Sequence, residues 1–517
     1  MATKYTSKKI AINNAEQFKE SFYEPEPATL GYVFLGRSNA WPNESSPQSI
    51  DDTVADEKKI WNDIFAGKRI TGSDVRLVVP RVDWTPNTKY REYDDTSTIT
   101  TLLSANTSLN LKPMYVITTD RNVYKCLSNN ASANSTVEPS GDYTTSNGII
   151  QTADGFLWKY MCNIKRTNKF LTNDWVPLPS SVGETDYSSS ADNLIDGGLS
   201  KIIVTASGSG YNNPEVLVQP FANGNTTLFL ANTTNVAANM TVSGTGLLSG
   251  TYITAVDPGQ NKITISLPAI ANGGGTGNNL TLTTRIYVDG DGVGTLATAT
   301  INTSTQGIDK IAVTSTGTGY SHANVYIYGS GSSATARAVL PPKFGHGYNP
   351  AEELGASNVM ISVKIGEIDS TEGGLISTDT SFRTIGLLRD PHKYGESSSM
   401  TVSNANTVIT QTTNIEVVAG TAYTLNEYVY QGLSSEPTFY GFVHSQSGNT
   451  IRITSRKGNP SVGVSLIGAS SGVSRPITSY VNPEFQPYTG DILHAESLTK
   501  TDRTNGQAEN VRFVISF

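Results

Sequence analysis

His346 stands between two glycines in Pro341-Pro-Lys-Phe-Gly-His-Gly-Tyr-Asn-Pro350 and is followed by Glu352 and Glu353. An imidazole close to carboxylates has the makings of a metal centre or an acid–base pair. A metal site needs several ligands in defined geometry, and no second histidine stands nearby: His322, His392, His444 and His494 are scattered along the chain. A structural role in a loop is therefore expected for His346. Asp289-Gly-Asp291-Gly292 has the outline of a calcium loop, but no glutamate completes it, and the matching place at Tyr328-Gly-Ser330-Gly331 carries no carboxylate. Turn glycines explain both. Gly208-Ser-Gly210 and Gly317-Thr-Gly319 are not nucleotide fingerprints, because no helix follows to offer its N-terminus to phosphate. Ser207-Gly-Ser-Gly-Tyr211 lacks the strand–turn–helix setting of a nucleophile elbow. Paired carboxylates for glycoside hydrolysis are the enzymatic alternative. Neighbours such as Glu352 and Glu353 would point apart, however, and aromatic residues make up only 9%, with 5 Trp and no sugar-stacking cluster. Trp41 and Trp84 read as core or interface anchors. No catalytic, cofactor-binding or metal-ligating residue is assigned, no cofactor is expected, and the chain reads as a non-enzyme.

The glycine phrases belong to an internal duplication. Lys201-Ile-Ile-Val-Thr-Ala-Ser-Gly-Ser-Gly-Tyr211 returns as Lys310-Ile-Ala-Val-Thr-Ser-Thr-Gly-Thr-Gly-Tyr320, with seven of eleven positions identical. Alternation with period two puts Ile202 with Val204, and Ile311 with Val313, on one face of a strand. Val216-Leu-Val218 in the first copy is matched to Val325-Tyr-Ile327 in the second, and Ala297-Thr-Ala299 to Ala334-Thr-Ala336. An insertion of different character, 223–284, interrupts the first copy. It holds a hairpin of Tyr252-Ile-Thr-Ala-Val256 and Ile263-Thr-Ile-Ser-Leu267, turned by Asp257-Pro-Gly-Gln-Asn261.

Around this middle lies a β framework. The expected division is 1–195 for its N-terminal part, 196–345 for the duplicated module and 346–405 for the return to the framework. A small β unit follows at 406–477, then C-terminal framework strands at 478–517. Two short helices are expected near the N-terminus, at 12–23 (capped by Asn13 and Asn14) and at 53–66 with Gly67 ending it. The final Val511-Arg-Phe-Val-Ile-Ser-Phe517 alternates cleanly and is expected inside a sheet, where it would leave no open edge. The fold class is mainly β, in multi-domain β-sandwich or barrel-like units.

Bulk properties agree. A chain of 517 residues exceeds one ordinary domain, and 47 Gly with only 16% charged residues suits turn-rich β structure. A net charge of −8 speaks against nucleic acid as the partner. The first residues lack the apolar core of a signal peptide, and no apolar run reaches the length of a membrane span. Cys126 and Cys162 sit in apolar strand-like runs and are expected to be buried free thiols, with a single disulfide as the alternative. The lack of a disulfide framework suits assembly in a reducing cytoplasm.

Phe34-Leu-Gly-Arg-Ser-Asn-Ala-Trp-Pro42, Val79-Pro-Arg-Val-Asp-Trp84, Val123-Tyr-Lys-Cys-Leu127 and Asp154-Gly-Phe-Leu-Trp-Lys-Tyr160 follow one another in the first third of the chain. In that order they resemble the homodimer-forming baseplate wedge subunits of T4-like contractile-tailed phages. Ser381–Leu388 is a weaker link, and Tyr488-Thr-Gly-Asp-Ile-Leu493, Gln507-Ala-Glu-Asn-Val511 and the final strand look like that family's ending. The family's T4 prototype is shorter, so the duplicated region and its insert look like additions. The resemblance implies a structural subunit of a virion's tail baseplate, assembled in the host cytoplasm, dimeric and docked on other wedge proteins. It carries over no binding residue, no nucleic acid and no membrane. The alternative from another class is a host-surface protein whose inserted modules bind glycans.

Overall fold

The computed structural model describes residues 7–23, 30–144, 146–165, 168–179, 187–189, 194–365, 380–396, 408–503 and 509–517. The chain is mainly β and divides into two compact units, Met1–Val78 with Ala356–Phe517, and Val79–Gly355. Residues 79–195, placed by the sequence with the N-terminal framework, thus cluster with the duplicated region.

In the first unit Gly31–Gly36 is buried along its whole length, because strands flank it on both sides. The sheet runs Val408–Thr410, Ile64–Arg69, Gly31–Gly36, Thr380–Arg389 and Asp491–Arg503. Two expectations change here. The first helix is Lys9–Glu20, so Asn13 and Asn14 lie inside it rather than capping it. The second is Val54–Asp63, capped by Thr53, whose hydroxyl accepts from the Asp56 N–H at 3.1 Å. It stops before Ile64, and Gly67 pairs with Phe34 within a strand. The apolar run from Ile64 is buried in full, which suits a central strand better than a one-sided helix.

A second sheet pairs Asn358–Ile365 with Glu509–Ser516 over eight residues. The terminal strand was expected inside a sheet, but it lies at the edge. Its inward residues Val511 and Phe513 are buried, which is what the alternation encodes; no residue pattern specifies a further neighbour. The small β unit is a closed six-stranded barrel spanning Thr413–Val481. Its core includes Ile415, Phe439, Val443 and Ile451. Residues 406 and 407 of the expected unit, and residues 507 and 508 of the C-terminal motif, lie outside the described residues.

In the second unit, Asn122–Ser128 and Leu157–Ile164 pair around a core of Tyr90, Tyr124, Phe156 and Trp158. The duplication forms one six-stranded sheet, in the order Lys201–Ser209, Ser332–Val339, Ala323–Tyr328, Arg285–Gly290, Val293–Ile301 and Ile308–Thr318. The copies interlace about a pseudo-twofold between the two central strands. Ile202 pairs with Ala338 as Ile311 pairs with Ala299, and Ser209 with Ser332 as Thr318 with Val293. Arg285 pairs with Thr298 as Asn324 pairs with Arg337. Each first strand therefore pairs with the last strand of the other copy. The edge strands are tied as well, since the Tyr211 and Tyr320 N–H groups donate to Gln306 and Gly197 carbonyls.

This register corrects two assignments. The counterpart of Val325–Ile327 is Ile286–Val288, and Ala297 and Ala299 correspond to Ala336 and Ala338. Glu215–Leu217 instead pairs with Asn279–Thr283, inside the insertion. The insertion therefore begins before residue 215 rather than at 223. It holds two three-stranded sheets around Val216, Leu228, Met240, Ile263 and Leu280. Each such side chain contributes about 1.5–3 kcal/mol on burial.

Candidate functional site

The residues singled out for chemistry are drawn into structural contacts. His346 and Glu353 are buried and meet Lys125, whose strand supplies the charge from the opposite side of the site. The Lys125 Nζ lies 2.7 Å from Glu353 Oε2 and 3.0 Å from His346 Nδ1. The other carboxylate oxygen, Oε1, accepts from the Gly347 N–H at 2.7 Å. The Tyr93 ring closes the pocket, 4.1 Å from the ammonium and edge-on to the imidazole. Lys159, the cross-strand neighbour of Lys125, donates to the Asn147 carbonyl.

Electrostatics follow from this geometry. Burial alone would push the Glu353 carboxyl up, but the Lys125 ammonium overrides it and keeps Glu353 ionised, below the usual carboxylate range. Burial pushes the Lys125 ammonium down against the pull of Glu353. Burial, then the neighbouring Lys125 charge, lowers His346 to about 4, so its ring is neutral and Nδ1 accepts from the ammonium. Burial likewise lowers Lys159 to about 8. With its Nδ1 lone pair engaged by Lys125, His346 has only one nitrogen left for a ligand. Among the described residues no three His, Cys, Asp or Glu side chains gather as a metal site. Glu352 is half-buried, and its backbone N–H donates to the Asn349 side chain that caps the short helix. The cluster can fasten the 341–355 loop to the sheet; nothing in it presents a reacting atom to solvent.

Asp291 is exposed, and its carboxylate accepts from the Ser321 and His322 N–H groups at 2.9 and 3.2 Å. The bond from the Ser321 hydroxyl first, and then these two N–H bonds, hold its pKa well below the carboxylate range. It closes the loop of the other copy, with Oδ1 taken by these two N–H groups and Oδ2 by the Ser321 hydroxyl. Gly292 and Gly331 explain the Gly-x-Gly turns: a Cβ on either would sit 2.4 Å from the ring of Tyr320 or Tyr211, respectively. Gly208 and Gly317 hold positive φ of 62° and 60°, just beyond the bulge that each copy repeats at Thr205 and Thr314. Cys126 and Cys162 are buried free thiols. Trp41 is buried under the Arg37 guanidinium and donates from Nε1 to the Leu498 carbonyl at 2.8 Å. Trp84 packs on the core of its sheet and donates to Ser135. His444 is buried against Phe65 and lowered to about 3, by burial first and Arg452 second. His322 and His494 are exposed beside Asp291 and Glu496.

The sequence did not reveal Lys125 and Lys159 as partners of this cluster. The signal was present, a lysine in each of two apolar runs, Val123–Leu127 and Trp158–Tyr160. No family model matches this chain, and no curated protein is similar enough to place it.

Proposed function

We infer that this chain is a structural subunit of a baseplate wedge in a contractile phage tail, acting by forming a homodimer and docking on neighbouring wedge proteins. The observation that carries the reading is a convergence. The motifs at Phe34–Pro42, Ser381–Leu388 and Tyr488–Leu493 are far apart in sequence, yet the strands that bear them are neighbours. Gly31–Gly36 pairs with Thr384–Arg389, and Thr380–Arg389 pairs with Asp491–Arg503. Trp41 of the first motif is bonded to Leu498 just beyond the last. A framework conserved in form while long segments are inserted elsewhere would keep these parts together. The strands Asp491–Arg503 and Glu509–Ser516 end their sheets and offer open ladder edges on which a second chain can dock. Light scattering on the purified chain tests the assembly part of the reading. A dimer at micromolar concentration is expected, and a strict monomer contradicts it.

A further inference from the structure

A cleft of about 810 Å³ opens in the first unit, where the C-terminal end of helix Val54–Asp63 meets the barrel hairpin of strands Glu436–Ser447 and Thr450–Gly458. That volume lies in the range of small-ligand sites. The hairpin is irregular at this point. Its register shifts between Tyr440 and Phe442, and Ser455 takes a left-handed φ of 51°. A bulge re-aims side chains; here Ser455 donates to the Asn62 carbonyl at 2.9 Å, and Arg456 and Lys457 line the cleft.

The charge there is unusual for so acidic a chain. Arg37 is matched by Asp63 at 3.3 Å. Arg456 is held by neutral groups only: Asn482 at 2.9 Å, Asn459 at 3.5 Å and the Tyr394 hydroxyl. Among the described residues neither Arg456 nor the exposed Lys457 has a carboxylate partner. A guanidinium fixed in place with no anion is prepared to take one from outside, in the forked geometry that suits a carboxylate. Beside it stand aromatic rings open to the cleft: Tyr488 is 54% exposed, and Tyr440 and Phe442 are half-buried. Tyr428 continues the aromatic surface, with ring centroids 5.5 Å from Tyr440 and 5.7 Å from Phe442. Cross-strand aromatic pairing stabilises the hairpin by itself, but it does not account for the unmatched cations.

We propose that this cleft binds an acidic oligosaccharide, with Tyr488 and Tyr440 packing on the apolar faces of the sugar rings and Arg456 and Lys457 engaging a sugar carboxylate. The site lies where the barrel meets the helix Val54–Asp63 rather than in the inserted modules, and it does not depend on the assembly reading above.

Calorimetric titration of the full chain tests it, using a hexasaccharide of alternating glucuronate and N-acetylglucosamine and, in parallel, the neutral N-acetylglucosamine hexasaccharide. The acidic sugar is expected to bind about tenfold tighter, with the difference shrinking as salt is raised. Arg456→Gln is expected to weaken it by about tenfold. Because Arg456 also ties barrel loops together, the exposed variants Lys457→Glu and Tyr488→Ala provide an independent reading. Each is expected to weaken binding, Lys457→Glu with an unchanged melting curve and Tyr488→Ala with at most the small shift that loss of its bond to Asn62 brings. Absence of binding, equal affinity for the neutral sugar, or affinity unchanged in Lys457→Glu and Tyr488→Ala would overturn the proposal. Tighter binding of a hexaglutamate peptide than of either sugar would overturn it in favour of a protein partner.

Discussion

Glu353→Gln keeps the shape of the buried side chain and its acceptor for the Gly347 N–H, but removes the anion facing Lys125. Lys125 and Glu353 have side chains only 1% and 5% exposed, so solvent cannot replace the lost partner. Removing one member of such a pair costs about 3–5 kcal/mol. For a unit of this size that is roughly 5–9 °C in melting temperature. Adding Lys125→Met removes the stranded cation as well, and the double variant is expected to recover at least about 2 kcal/mol of the loss. Differential scanning calorimetry of the four proteins in the cycle gives the coupling directly. A Glu353→Gln shift below about 2 °C, or a double variant as damaged as the sum of the singles, would refute the claim that the pair fastens the loop through its charges.

His346 carries a pH signature. Its folded value of about 4 lies below the ordinary imidazole range, so the unfolded chain takes up the proton first. Its contribution is complete above about pH 6.5 and is lost as pH falls toward 4, by about 3 kcal/mol in total. The Glu353 contribution is lost only further down, since its folded pKa is depressed below the carboxylate range. His346→Asn should therefore flatten the stability profile between pH 6.5 and 4, and an unchanged slope in chemical denaturation would contradict that assignment. Gly292→Ala and Gly331→Ala press a methyl group into equivalent tyrosine rings. Each should cost about 1–3 kcal/mol, and the two costs should agree within about 1 kcal/mol if the pseudo-twofold is real. Asp291→Ala should speed amide hydrogen exchange at Ser321 and His322, with little change elsewhere; equal rates would mean that its bonds do not form in solution.

The duplication was legible because both strands alternate and both end in Gly-x-Gly-Tyr. Which segment completes the first copy was not. Glu215–Leu217 and Arg285–Gly290 are equally β-like, and only pairing across the interlaced sheet separates them. Ile64 to Gly67 prolonged the helical period of Trp61, and burial on both faces, a tertiary property, decided for strand. Asn349 followed by Pro350 is a local signal for a helix start, and Asn349 caps the Glu352 N–H in the structure. The ion cluster joins residues 228 positions apart, so no local spacing could announce it. Its trace was the cost of a lysine inside an apolar strand, which demands an anion from elsewhere.

We propose a place for this chain in the baseplate of a tailed virion. Immunogold labelling of intact tailed particles that contain the chain addresses it most directly. The assembly reading requires label at the periphery of the baseplate and none at the fibre tips. Label at the distal ends of fibres would contradict it and make host-surface binding the primary role.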